Sequence, residues 1–399
     1  MELELLKAKI NDIYDEVVAL RRDIHMHPEL SGEEQRTMEL VSRWLTQLDI
    51  PHVTNVGGHG VVATIGDPNA AFAVGIRADM DALPIQEQNQ VPYASTVPGV
   101  MHACGHDMHT AILMGTAKLL KGMEQELPGA VKLFFQPAEE KGGGARQMIE
   151  AGCLEQPPVK RVLGLHVNPE MKAGQASFMP GCTGASSTTL RITVNGRACH
   201  GAHPERGVDA IIAAAHVLTG LQSVSSRSVA PTTPVIVTVG KIQGGTKGNI
   251  VAGTVEMEGT IRALDLETTE LVKARVKAVA ENAAASCGAT ADVYMNTQYP
   301  PLINDEATTL RMLDIAREAL GEGNAIRRTE PSLGAEDFAF FNLARPGAMF
   351  RLGVGQETGH PQMLHNEWFC PDEEGMKTGM LLEVLGVLNF LEEEKQRSC

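Results

Sequence analysis

Along the first half of the chain, short apolar runs alternate with stretches whose apolar positions recur at helical spacing. The strand-like runs occupy 60–65, 72–76, 131–135 and 162–166, and the helix-like stretches 33–48, 110–122 and 145–151. The opening twenty residues mix charges with Leu, Ile and Val at the same helical spacing. Strands that alternate with helices form parallel sheets covered by helices. The rhythm changes over 179–187, where small and turn-forming residues dominate. From there the pattern predicts strand 189–194, helix 208–226, strands 235–242 and 254–262, helix 266–286 and strand 290–295. That order, βαββαβ, is the split-βαβ pattern of a ferredoxin-like domain. After Pro300 and Pro301 the alternation resumes and ends in an amphipathic helix over 373–393. The expectation is an α/β protein. A mixed, mostly parallel sheet covered by helices is built from 1–184 and 298–399, and a ferredoxin-like domain is inserted over 185–297.

Composition agrees with two domains, since 399 residues exceed the usual single core. Hydrophobic residues make up 43% of the chain and aromatics only 4%, a mixture suited to helices packed on a sheet. The formal net charge of -15, with no stretch rich in Lys or Arg, argues against nucleic acid and anionic membrane as partners. The first twenty residues lack the basic start and apolar block of a signal peptide, and no apolar stretch is long enough to cross a bilayer. A cytoplasmic location is therefore expected. The seven cysteines are odd in number and unpatterned, as reduced thiols would be.

Chemistry concentrates at 102–109, His-Ala-Cys-Gly-His-Asp-Met-His, which places three imidazoles, a thiol and a carboxylate in eight positions. Thiolate, imidazole and carboxylate together suit Zn(II), Mn(II), Ni(II) or Co(II) better than Mg(II) or Ca(II), and the cysteine favours zinc. Cys104 and His106 flank Gly105, where a loop can fold both side chains towards one point; on a regular helix they would diverge. Two further candidate sites follow apolar runs that read as strands. Glu139 and Glu140 come just after 130–135, and His166 closes 162–165. Ligands of open α/β sheets collect outside the carboxyl ends of strands. Two adjacent carboxylates repel unless a cation or proton is near, so one suits a metal and the other a water proton. His25 and His27, two apart beside Pro28, read as structural. Near the end of the chain, spacing leaves His360 and His365 equally eligible as a last ligand.

Six motifs occur in order: Arg77-Ala-Asp-Met-Asp-Ala-Leu-Pro84, Met101-His-Ala-Cys-Gly-His-Asp-Met-His109, Gln136-Pro-Ala-Glu-Glu140, Gly164-Leu-His-Val167, Gly334-Ala-Glu-Asp-Phe338 and Leu364-His-Asn366. In these the chain resembles the aminoacylase/carboxypeptidase metallohydrolases, in particular the amidohydrolase branch of hippurate hydrolases, auxin-conjugate hydrolases and N-acetyldiaminopimelate deacetylases. The likeness begins at Arg21 and extends to the final helix. It implies a centre of two divalent metal ions held by Cys104, His106, Glu140, His166 and His365, which selects His365 over His360. It implies Glu139 as general base and an inserted domain that acts as a lid and forms a homodimer. His200 corresponds to a histidine that reaches the neighbouring subunit's site and polarises the scissile carbonyl, and Asn249 and Arg262 to residues that bind a substrate carboxylate. The chain departs from the wider family in carrying Arg77 where a metal-binding His stands two residues before the strand-end Asp. Asp79 is therefore expected to orient a ligand rather than bind metal. Departures also occur after Asn249, which is followed by Ile-Val-Ala-Gly, and at His203.

The activity so implied is hydrolysis of an N-acyl amino acid, with a dipeptidase or small carboxypeptidase as the alternative of the same chemistry. Two rivals use the same residues differently. One is a thiol amidase in which Cys104 attacks the carbonyl with a histidine as base, and the other is a metal-binding protein without catalysis.

Overall fold

The computed structural model describes residues 2–356, 360 and 362–398. Helices α1 (Leu3–Met26) and α2 (Gln35–Gln47) lead into strands β1 (His52–Thr54), β2 (Val61–Ile65) and β3 (Ala73–Asp79). Then come α3 (His106–Lys121), β4 (Ala130–Gln136), α4 (Gly144–Glu150), β5 (Val159–Lys172) and β6 (Ala176–Phe178). The middle of the chain forms β7 (Gly181–Gly184), β8 (Ser187–Asn195), β9 (Cys199–His200), α5 (Ala210–Arg227), β10 (Val235–Gly244) and β11 (Ile250–Val251). It continues through β12 (Thr254–Ala263), α6 (Leu266–Ser286), β13 (Thr290–Tyr299) and β14 (Leu302–Asn304). The last elements are α7 (Glu306–Leu320), β15 (Ala325–Arg327), α8 (Ala339–Ala344), β16 (Gly347–Gly355) and α9 (Gly375–Ser398).

These elements form two compact units, one of Met1–Gly181, Ile303–Thr329 and Phe340–Cys399, the other of Cys182–Leu302 and Glu330–Ala339. In the first, eight strands lie in the order β1-β2-β4-β3-β5-β16-β6-β15. The pairs β3–β4, β3–β5, β5–β16 and β6–β15 are parallel, whereas β1–β2, β2–β4 and β6–β16 are antiparallel. The sheet is thus mixed and mostly parallel at its centre. β3 and β4 are buried at every position, which is why both are apolar along most of their length. Almost every residue of α3 is buried too, because α1, α9 and β3 pack around it.

The second unit is built on an antiparallel sheet in the order β10-β12-β8-β13. Leu190, Ile192, Val194, Met257 and Ile261 of the sheet share a core with Val217 and Leu221 of α5 and with Val272 and Val276 of α6. Asp209 caps α5 by accepting from the Ile211 and Ile212 N–H groups, and Asp265 caps α6 through Thr268 N–H. The segment 330–339, which the sequence reading leaves with the large sheet, packs in this unit instead. Ser332 N–H donates to Thr183 O at 3.0 Å, and Ala185 N–H to Gly334 O at 2.8 Å. Its Pro- and Gly-containing sequence has no periodic apolar pattern from which a packing partner could be read.

Candidate metal centre

Three turns and one strand of the first unit bring the candidate ligands together. Gly105 precedes α3 in the left-handed region at φ 84°, and a Cβ there would lie 2.5 Å from Val167 Cγ2. Only glycine fits, and it places Cys104 before the turn and His106 at the start of α3. Glu139 and Glu140 follow Ala138, a non-glycine residue at φ 52°. The turn that carries them is closed by Gly144, where a Cβ would overlap Pro137 O at 1.8 Å. His365 is also left-handed, at φ 59°, and its N–H donates to Ala103 O at 2.8 Å, tying its loop to the Cys104 segment. His166 lies within β5 and not at its end. Pairing with β16 continues through Lys172, although the apolar pattern stops at Val167.

The ligand atoms meet in overlapping groups, Cys104 with His106 and His166, Cys104 with Glu140 and His365, and His106 with Glu139 and Glu140, each group within 4.8 Å. Cys104 Sγ is 3.5 Å from His166 Nε2, and His365 Nε2 is 3.1 Å from Glu140 Oε1. Cys104, His106, Glu139 and His166 are buried, while the His365 side chain is half exposed. Backbone carbonyls fix the tautomers, because a carbonyl can only accept. His106 Nδ1–H donates to Asp81 O at 2.9 Å and His166 Nδ1–H to Val167 O at 2.9 Å, leaving both Nε2 lone pairs turned to the cluster. Among the described residues His106 Nε2 is buried without a hydrogen-bond partner. An orphaned polar atom of this kind is costly unless something outside the polypeptide satisfies it. Sulfur, nitrogen and oxygen donors converging here fit a divalent transition metal.

His109 stands beside the cluster but offers no free lone pair. Val167 N–H donates to its Nε2 at 3.0 Å, so its Nδ1 carries the proton that Asp79 Oδ1 accepts at 2.6 Å. Asp79 also takes Arg77 Nη1–H at 2.6 Å. Burial would push the Asp79 carboxyl up, but Arg77, then His106 and His109, hold it well below the ordinary range. Arg77 and Asp79 thus form a buried ion pair behind the cluster. Cys104 is poorly suited to attack a carbonyl unaided, since burial pushes its thiol up to about 12. Burial also depresses His166, so the pair is a neutral thiol beside a neutral imidazole.

His360 stacks on Trp368 with ring centroids 3.9 Å apart, away from the role open to it by spacing. His25 is buried, with Nδ1 2.7 Å from Asp107 Oδ2 and Nε2 3.3 Å from Glu87 Oε1; His27 bonds its own helix at Asp23 O. In the second unit, His200 is exposed on β9 and pairs with Ile250, next to Asn249. Ala202 N–H donates to His200 Nδ1 at 3.1 Å, which puts the ring proton on Nε2. Arg262 is half-buried on β12 with no carboxylate partner among the described residues. Sequence reasoning missed Asp81 and Glu34, which bond the ligand-bearing segments, and Ser31, which donates to Asp81. Asp81 was signalled only as the second acid of Arg77-Ala-Asp-Met-Asp81, and nothing in the pattern marked the other two.

A thiol, imidazoles and carboxylates gathered at one side of an α/β sheet, with a further buried glutamate beside them, define the equipment of a metallohydrolase. The model of peptidase family M20/M25/M40 matches residues 75–385, and the chain belongs to that family. It is a hydrolase of amide or peptide bonds. It is 38% identical to IAA-amino acid hydrolase ILR1-like 4 of Arabidopsis thaliana over 98% of this chain and 89% of that protein. Identity is likewise 38% to the N-acetylcysteine deacetylase of Bacillus subtilis, over 90% of this chain and 93% of the other. Among solved structures, the Bacillus subtilis YXEP protein, a dinuclear metal binding peptidase of the M20 family, superposes with a TM-score of 0.83. It shares 33% identity, covering 96% of this chain and 99% of YXEP.

Proposed function

We propose that the chain is a metal-dependent amidohydrolase that releases the acyl group from N-acyl amino acids, with Glu139 as general base. The observation that carries this reading is the buried Glu139 carboxyl grouped with His106 and Glu140. A protein that only bound metal would need no such additional acid. Cys104, His106, Glu140, His166 and His365 would hold two divalent ions, zinc by preference for the thiolate, a reading supported by the likeness to dinuclear YXEP. Bound there, the ions would supply Lewis acidity, which makes water nucleophilic near neutral pH and polarises a carbonyl. Glu139 takes the proton from the attacking water and returns it to the departing nitrogen, which leaves poorly until protonated. His200, with its proton on Nε2, would donate to the developing oxyanion from the second subunit of a homodimer. Arg262, with Asn249, would bind the α-carboxylate, a pairing suited to a guanidinium.

The substrate class is favoured by the names of the two relatives, each of which acts on an acylated amino acid. We assign residues 185–297 as a ferredoxin-like lid and dimerisation domain, on the strength of the spatial order of its long strands, second, third, first, fourth. The enzyme would work in the cytoplasm on small molecules. The test is a screen of N-acetyl, benzoyl and indolylacetyl amino acids against dipeptides with metal-reconstituted protein. N-acyl amino acids should be hydrolysed in preference to dipeptides, and Glu139→Gln should bind metal normally and lose activity by ~10²–10⁴-fold. Preferred dipeptide cleavage would overturn the substrate class, and parental activity in Glu139→Gln would overturn the base.

A further inference from the structure

We propose that His200 and His203 of the second unit form a surface site for one further divalent transition-metal ion, and that an ion bound there removes His200 from the reaction. The site is separate from the metal centre described above; its effect on catalysis rests on the reading of His200 as donor to the oxyanion. The two histidines stand at the first and last positions of a tight turn, closed by His203 N–H donating to His200 O at 2.8 Å. One end of the turn is held by β9, where His200 pairs with Ile250 of β11. Gly201 N–H donates to Asn249 O at 2.8 Å, and a Cβ on Gly201 would lie only 2.9 Å from that oxygen. The backbone from which both rings project is therefore fixed in advance of binding.

The ring centroids of His200 and His203 are 5.9 Å apart, with their planes inclined at 52°. Two imidazoles that share a metal through nitrogens at ~2.0–2.1 Å have centroids ~5–6.5 Å apart. Within this protein the rings of His106 and His166, both assigned to the metal centre, are 6.1 Å apart. Both members of the surface pair are open to solvent. Glu205 Oε1 lies 3.7 Å from His203 Nδ1, beyond hydrogen-bonding distance, and is an oxygen donor beside the pair, shared with Arg206 Nε at 3.5 Å. Two imidazoles and a carboxylate suit Zn(II), Ni(II) or Cu(II) better than Mg(II) or Ca(II). The His200 ring offers Nε2–H because Ala202 N–H occupies Nδ1. An ion on Nε2 takes the place of that proton, and an ion on Nδ1 displaces Ala202 N–H and ties the ring to His203. Either bond takes the donor from its pose. His203 is a departure from the wider family, so a relative with another residue there lacks the second imidazole.

The test is equilibrium dialysis of the metal-loaded full-length protein against rising micromolar Zn(II), with metal per chain and the rate on an N-acyl amino acid measured on the same samples. The parent should bind one equivalent more than either His203→Ala or His200→Ala, whatever number the centre holds. As that equivalent binds, the parental rate should fall ~10²-fold, the scale of losing one oxyanion donor. His203→Ala should start at the parental rate and keep it over the same range. Equal metal content in the parent and both variants would overturn the site. One equivalent lost from the variants, with no fall in the parental rate, would overturn the inhibition and the reading of His200 as oxyanion donor, while the binding site stands. Failure of the metal-centre reading shows differently, as absence of the metal common to all three proteins, and leaves the difference of one equivalent intact.

Discussion

Glu383 of α9 should make the first unit less stable as pH rises. The residue is 1% exposed, its Oε2 accepts the Thr116 hydroxyl of α3 at 2.6 Å, and its Oε1 has no hydrogen-bond partner among the described residues. Burial pushes its carboxyl from 4.5 up to about 8, and the bond from Thr116 offsets only part of this. The folded protein thus favours the neutral acid, whereas the unfolded chain ionises near 4.5. Stability is undiminished below that pH, falls as pH rises towards about 8, and levels off above it. A difference of 3.5 units, from 8 and 4.5, at ~1.36 kcal/mol per unit corresponds to ~5 kcal/mol, the largest effect this group can exert. Glu383→Gln keeps an acceptor for Thr116 and removes the titration. Urea denaturation of the metal-free protein, followed by circular dichroism from pH 5 to 9, reads the difference. The variant should match the parent within ~1 kcal/mol at pH 5 and exceed it by several kcal/mol at pH 8.5. Because two units can unfold separately, the quantity compared is the pH dependence of the first unit's transition. Parallel profiles for the two proteins would refute the reasoning.

Three further outcomes follow from the centre's surroundings. Asp79→Asn removes the charge opposite buried Arg77 and should cost ~3–5 kcal/mol in denaturation experiments, as breaking a buried pair does. Gly105→Ala forces a Cβ towards Val167 at a left-handed position and should lower stability by ~1–2 kcal/mol, with weaker Zn(II) binding in a chelator competition. Since burial places the Cys104 thiol at about 12 in the metal-free protein, metal binding should expel its proton and tighten as pH rises from 6 to 9. Calorimetry in buffers of different ionisation enthalpy measures that release, and Cys104→Ser should reduce it.

The central strands could be read from the sequence because burial on both faces demands a continuous apolar run. β4 announces itself in this way, and so does the start of β5. The continuation of β5 past His166 could not be read, since its outer half is held by pairing with β16 rather than by apolar side chains. Cys104 and His106 stood out by their density and the intervening glycine. Choosing between His360 and His365 required the family resemblance, because both lie in a loop where spacing carries no information. Contacts made by ordinary polar residues left no mark. Asp81 and Glu34 act through backbone N–H groups and a ring nitrogen far away in the chain, Ser31 through the Asp81 carboxylate, and no pattern encodes such bonds. For the same reason the return of 330–339 to the second unit rests on backbone hydrogen bonds that hydropathy does not reveal.

The proposed function requires divalent ions held by Cys104, His106, Glu140, His166 and His365. The most direct measurement is metal content per chain set against the rate on an N-acyl amino acid, through removal by a chelator and stepwise return of Zn(II) or Mn(II). Activity should disappear with the metal and return as up to two equivalents bind, with neither occurring fully in Glu140→Gln. A protein that hydrolyses its substrate at full rate with less than a tenth of an equivalent of metal would contradict it.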